Sequence, residues 1–193
     1  MREKQFNGRK AVRKTLLVVG EGDTEEAFLK YLRSLYCCDG RGVTVTVRNA
    51  HGKGPEHVID HTIRQTKMYQ YGLCIAFLDT DIVWSARLLK RARQYKVTMV
   101  GSTPCFEGLL LSILGMKVPE LSLECKKEIQ RLLAIDLTDR HAYATHFPQE
   151  VLQCARGHLT ELDKLLRFFQ GSWTEVDESK PSANINSRAA SLW

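Results

Sequence analysis

"TLLVVGEGDTEEAF", residues Thr15–Phe28, decides the reading of this chain. Thr15–Val19 is short and continuously apolar, the pattern of a strand buried on both faces rather than one alternating between core and water. It ends in Gly20-Glu21-Gly22, and Asp23-Thr24 opens a helix that either side chain can cap, with Glu25 and Glu26 in the favourable first turn. Phe28, Tyr31, Leu32 and Leu35 then give that helix one apolar face. A carboxylate between two glycines at a strand tip has a bland reading, a tight turn with an exposed acid. The other strand ends weigh against it.

Outward from this stretch, "VTVTV" from Val43 alternates and reads as a second strand. The loop "HGKGPEH" follows, and Pro55 suits the first position of a helix running to about Tyr69. "LCIAFL" from Leu73 is a third strand, buried on both sides and ending at Asp79. Ser85–Gln94 reads as helix and "KVTMVG" from Lys96 as a fourth strand. "STPCFEGLLLSIL" from Ser102 turns into a very apolar helix with Glu107 in its first turn. This alternation predicts an α/β fold: a mostly parallel sheet of about four strands flanked by helices. Beyond it the pattern predicts helices over 120–133 and 149–170. In the second, Leu152, Ala155, Leu159, Leu162, Leu166 and Phe169 recur at core-facing steps, although Gly157 costs helix propensity. The expected organisation is a basic arm over 1–14, an αβ core over 15–115, a helical extension over 116–170 packed on it, and a polar tail over 171–193.

At 193 residues, 44% hydrophobic and 26% charged, the chain has ordinary globular usage and needs no metal or disulfide to build a core. A net charge of +6 favours contact with polyanions. The six cysteines form no C-x-x-C pair, which suits reduced, mostly buried thiols and a cytoplasmic location. No signal peptide and no membrane-crossing run is legible.

In an open parallel sheet, ligands bind beyond the carboxyl ends of the strands. Glu21 follows the first strand, Asp79 and Asp81 the third, and Glu107 lies just past the fourth. Neighbouring strands would gather four carboxylates, an arrangement that repels itself unless a hard divalent cation neutralises it. Oxygen ligands alone point to Mg2+ or Mn2+. Asp79 and Asp81 stand two apart, so an extended segment would face both the same way. Glu21 suits either a ligand or a base toward water, and backbone N–H groups over Gly22–Thr24 favour a phosphate oxygen nearby.

Arg87, Lys90, Arg91, Arg93 and Lys96 place five cations in ten residues without an acid. Arg87, Lys90 and Arg91 share a helical face suited to a phosphate backbone, or to simple solvation. Lys53, in the Gly-rich loop, is a further candidate at phosphate, but Gly52-Lys53-Gly54 lacks the rest of a nucleotide-binding loop. His57 and His61 stand four apart without an H-E-x-x-H signature and read as surface histidines. Cys105 reads as packed rather than nucleophilic, and Trp84 as a half-buried core residue.

Three elements together resemble a known family. Gly20-Glu21-Gly22-Asp23-Thr24-Glu25 resembles its E-G-x-T-E element, Phe77-Leu78-Asp79-Thr80-Asp81 its D-x-D strand, and Ser102-Thr103-Pro104-Cys105-Phe106-Glu107 its S-x-P-C-F-E element. These are similar to the marks of the RloB-like proteins, found beside bacterial restriction and phage-defence loci and related to the Toprim catalytic domain. The match covers residues 15 to 115, with Pro181-Ser182 resembling a C-terminal element. The resemblance implies a Toprim-like core using magnesium, with Glu21 as leading acid, Asp79 and Asp81 as metal ligands and Glu107 as the acid of the Phe-Glu element. Ile82-Val83-Trp84 depart from the polar residues the family more often carries there and leave the number of cations open. The expected function is a metal-dependent phosphodiester hydrolase, a nuclease acting on DNA or RNA in phage defence. The alternative is a non-catalytic nucleic-acid-binding or partner-regulating subunit of a defence system, working with a protein from the same locus. Small-nucleotide phosphodiester chemistry is a third reading and needs a closed pocket. Homo-oligomerisation is left open.

Overall fold

A computed structural model describes residues 14–37 and 42–173. The chain runs β1 (Lys14–Gly20), α1 (Asp23–Tyr36), β2 (Val43–Asn49), α2 (Pro55–Met68), β3 (Leu73–Asp79) and α3 (Ala86–Gln94). It continues through β4 (Val97–Ser102), α4 (Phe106–Ile113), α5 (Ser122–Leu133), α6 (Tyr143–His146), α7 (Gln149–Ala155) and α8 (Thr160–Phe169). Residues 1–13 of the basic arm, Cys38, and the tail from 174 onward, with Pro181-Ser182, lie outside the described residues.

All pairings in the sheet are parallel and the strand order is β2-β1-β3-β4. The α/β architecture read from the sequence is therefore the one observed. The two most continuously apolar strands, β1 and β3, occupy the centre, as burial on both faces requires. Successive β1 residues face opposite sides. Leu16 and Val18 join a large core with α1, α4, α5, α7 and α8, while Leu17 and Val19 join a smaller one with α2 and α3. In the edge strand β2, Val43, Val45 and Val47 face the larger core, and Thr44 and Arg48 on the opposite face are exposed.

Two local expectations are corrected. The helix expected over 149–170 is two helices, α7 and α8, broken around Gly157. The glycine gives up helix propensity where the chain must turn for both apolar faces to reach the core. Nor do Asp23 or Thr24 cap α1: Gly22 is its N-cap and makes no side-chain cap bond. Asp23 instead accepts a 2.6 Å bond from Asn49 Nδ2 at the end of β2. Among the described residues no helix is long and apolar enough to cross a membrane.

Candidate active site

Parallel registry sends the carboxyl ends of β1, β3 and β4 to one end of the sheet: Gly20 stands beside Phe77, and Asp79 beside Ser102. The Gly20–Gly22 turn is tight because strand end and helix start nearly touch. A Cβ on Gly20 would lie 3.0 Å from the Cβ of Glu25 and 3.4 Å from the amide of Glu26. The turn leaves the Glu21 side chain half-buried at the sheet end, and the Glu21 carbonyl accepts a 2.8 Å bond from the Gly52 amide. Burial, then the charges of Glu25 and Asp81, hold the Glu21 carboxyl above its ordinary range, while the backbone amides of Asp79 and Gly54 pull the other way.

Asp79 is the most perturbed acid in this group. Burial pushes its pKa up to about 7; a hydrogen bond from Ser102 Oγ at 2.8 Å opposes the shift, and Glu25, Glu107 and Glu21 reinforce it. Its carbonyl accepts from Trp84 Nε1 at 3.1 Å. Trp84 is buried rather than half-buried, because its indole closes over Gly101. After Asp79 the chain does not stay extended. The Thr80 amide reaches the carbonyls of Ser102 and Pro104 at 3.0 and 3.1 Å, and the Asp81 amide reaches Pro104 at 2.9 Å. This bend turns Asp81 outward, where its Oδ2 accepts a 2.8 Å bond from Ser122 Oγ at the start of α5. The expectation that both aspartates share one face of an extended segment gives way to two separately anchored carboxylates. Glu107, in the first turn of α4, is buried and acts electrostatically on both Asp79 and Glu25.

Two charged residues join the site that sequence reasoning did not assign to it. Glu25 is 6% exposed; its Oε2 accepts from the Gly22 amide at 3.2 Å and Thr24 Oγ1 at 2.9 Å. Burial holds its carboxyl above the ordinary range despite those bonds. A signal was legible: Glu25, Phe28, Leu29 and Leu32 follow helical i, i+3, i+4, i+7 spacing, so Glu25 lies on the buried stripe. Lys126 on α5 is exposed and lies within electrostatic reach of the acids. Glu107 above all, then Asp79, raises its pKa, with burial opposing. No sequence signal separates Lys126 from its neighbour Lys127.

Of the expected cations, Lys53 is exposed in the loop that touches Glu21, while Arg87 and Lys90 are exposed on α3. α3 starts at the acid end and runs away from it, and Arg91 is paired with Asp60 of α2 at 2.9 Å. Cys105 is fully buried, and burial pushes its thiol up to about 12, so it is no nucleophile at neutral pH.

The acids thus meet at one sheet end and interact with one another. Among the described residues, no three His, Cys, Asp or Glu side chains are gathered as a metal site. The bonds from Ser102 to Asp79, from Ser122 to Asp81, and from Gly22 and Thr24 to Glu25 hold the carboxyls individually. In chemistry the donor set still fits a hard cation: oxygen only, and mutually repelling. Compared with known proteins, the chain matches no family model, no curated sequence and no solved structure.

Proposed function

We propose that this chain is a metal-dependent phosphodiester hydrolase acting on DNA or RNA, with Mg2+ or Mn2+ as cofactor, in a cytoplasmic phage-defence setting of the kind its RloB-like resemblance implies. One observation carries the reading: adjacent parallel strands β1, β3 and β4 deliver Glu21, Asp79, Asp81 and Glu107 to the same end of the sheet.

Asp79 and Asp81 would hold the cation. When bound, such an ion polarises the scissile phosphate and offsets charge developing on its oxygens. The chain's own residues would do the rest. Glu21, its carboxyl raised by burial and by Glu25 and Asp81, binds a proton more readily than a free carboxylate, which suits accepting one from the attacking water. Glu25 and Glu107, both buried, act on Glu21 and Asp79 through their charge. Lys126, a cation across from Glu107, would meet the phosphate oxygens and compensate the acids' repulsion of a polyanion. A second reading is favoured by the protein-bonded state of Glu25 and Asp81. It is a non-catalytic subunit that binds nucleic acid or regulates a partner from the same locus.

The deciding experiment incubates purified protein with labelled DNA and RNA plus Mg2+ or Mn2+, beside Glu21→Gln and Asp79→Asn. The proposal expects cleavage by the parent and its loss in both variants. Equal cleavage by all three would assign the activity to a contaminant, and binding without cleavage under either ion would favour the second reading.

A further inference from the structure

On the far side of the loop that touches Glu21 lies a second charged surface, built by different elements. β2 is an edge strand, and Arg48 on it projects on the side that carries α2, where it is exposed. On α2, His57, His61 and Arg64 follow i, i+4, i+7 spacing and share one face. His51 follows β2 directly. The loop from His51 to Gly54 keeps four consecutive residues at positive φ, two of them not glycine: His51 at 62°, Gly52 at 75°, Lys53 at 74° and Gly54 at 81°. It is pinned at both sides, the His51 amide donating to Asn49 Oδ1 at 2.6 Å and the Gly52 amide to the Glu21 carbonyl. A rigid bridge therefore joins this surface to the acids.

The surface sets Arg48 and Arg64 beside three histidines. Burial, then Arg64, His57, His51 and Arg48, lower the pKa of His61, so its four strongest charged influences are all cations or groups that become cations. The elements packed beneath α2 face it with apolar side chains: Leu17 and Val19 of β1, and Cys74, Ala76 and Leu78 of β3. Asp60, on the side of α2 toward α3, is neutralised by Arg91, and Glu56 points about 100° away from His57 around the helix. His61 Nε2 is buried with no hydrogen-bond partner. The guanidiniums of Arg48 and Arg64 set a positive potential that favours a polyanion lying across them.

We infer that the β2–α2 edge, presenting Arg48, His51, His57 and Arg64 with the half-buried His61 between them, is a nucleic-acid track that holds the phosphodiester backbone and leads it over the Lys53 loop to the acids. The inference rests on the proposed function only for the identity of the polyanion; the binding itself requires no metal and no catalysis. It moves the principal phosphate contacts from α3, where the sequence suggested Arg87, Lys90 and Arg91, to the opposite border of the acid cluster.

The test is fluorescence anisotropy in chelator with labelled duplex DNA, single-stranded DNA and duplex RNA, over a salt series. It compares the parent with Arg48→Ala/Arg64→Ala, with Arg48→Glu, and with Arg87→Ala/Lys90→Ala. The arginine pair on the track should weaken binding about tenfold or more and reduce the log–log salt slope by about 2, close to one per lost phosphate contact. Arg48→Glu should weaken it further, and the α3 pair should change it less than about threefold. Superimposable circular dichroism spectra would verify that these exposed variants fold. Unchanged affinity in the track variants, loss confined to the α3 pair, or no salt-dependent binding of any of the three nucleic acids would overturn the inference. The measurement is made in chelator and reads binding alone, so a failed cleavage assay and a failed track are read separately.

Discussion

Asp79 carries the site's electrostatic stress in one side chain. Its folded pKa, near 7, lies above the ordinary aspartate value, so the folded chain holds that proton more tightly than the unfolded chain does. Its contribution to stability is therefore fullest below about pH 4 and is lost as the pH rises through about 7. Asp79→Asn keeps an acceptor for Ser102 and removes the buried charge. We expect the variant to be more stable than the parent by about 2 kcal/mol at about pH 8 and nearly equal to it at about pH 3.5, measured by denaturant melts. A pH-independent difference would detach the effect from this carboxyl. Mg2+ in millimolar excess should raise the parental melting temperature at the higher pH by several degrees, about 2–4 °C for each kcal/mol, and leave Asp79→Asn unmoved. Equal shifts in both proteins would remove Asp79 from the ligand set.

At the scale of elements, the bend after β3 depends on a residue from its neighbour. A Cβ on Gly101 of β4 would stand 2.7 Å from Thr80 Cγ2 and 3.1 Å from the Trp84 ring. Gly101→Ala should therefore cost about 1–3 kcal/mol of stability, the range for forcing a methyl into a packed site. Thr80→Ser removes the clashing methyl and keeps the hydroxyl that bonds Ser102 and Thr103, so the double variant should recover part of the loss. Additive losses in denaturant melts would refute this coupling. The strands themselves were legible because Thr15–Val19 and Leu73–Leu78 are apolar without interruption, and their ends pointed to Glu21, Asp79, Asp81 and Glu107. Less legible was what depends on neighbours distant in sequence. Ser122 draws Asp81 away from a shared face across an interval that no local pattern spans. The break between α7 and α8 is a compromise between two apolar faces, only half signalled by Gly157. Arg48 reads as one polar residue in an alternating strand until the fold brings it within electrostatic reach of His61 on α2.

Over the whole molecule, the sheet divides two unequal cores. α1 buries Ala27, Phe28, Leu29, Tyr31 and Leu32 in the larger one, where Phe28 lies within 5.3–6.3 Å of the rings of Phe106, Tyr143 and Phe147. α3 buries only Leu88 and Ala92 in the smaller. Local opening follows buried apolar contact, so native-state hydrogen exchange should find α3 amides exchanging at least about tenfold faster than mid-α1 amides. Equal protection would mean that the two sides open as one unit.

Lys14, the first residue of β1, donates to the carbonyls of Gly171 and Trp173 at 2.6 and 3.2 Å and lies 4.8 Å from the centroid of the Trp173 ring. Gly171 sits so close to Val43 that an added Cβ would stand 2.6 Å from its methyl. Residues 14 and 173, the first and last described, thus meet at one doorway, at the amino end of β1. Seven residues of strand, about 20 Å, separate that doorway from Glu21. A dye placed at residue 14 or residue 173 itself stands at the pole remote from the acids. The same geometry makes this pole a fixed reference point from which movement at the acid end can be read.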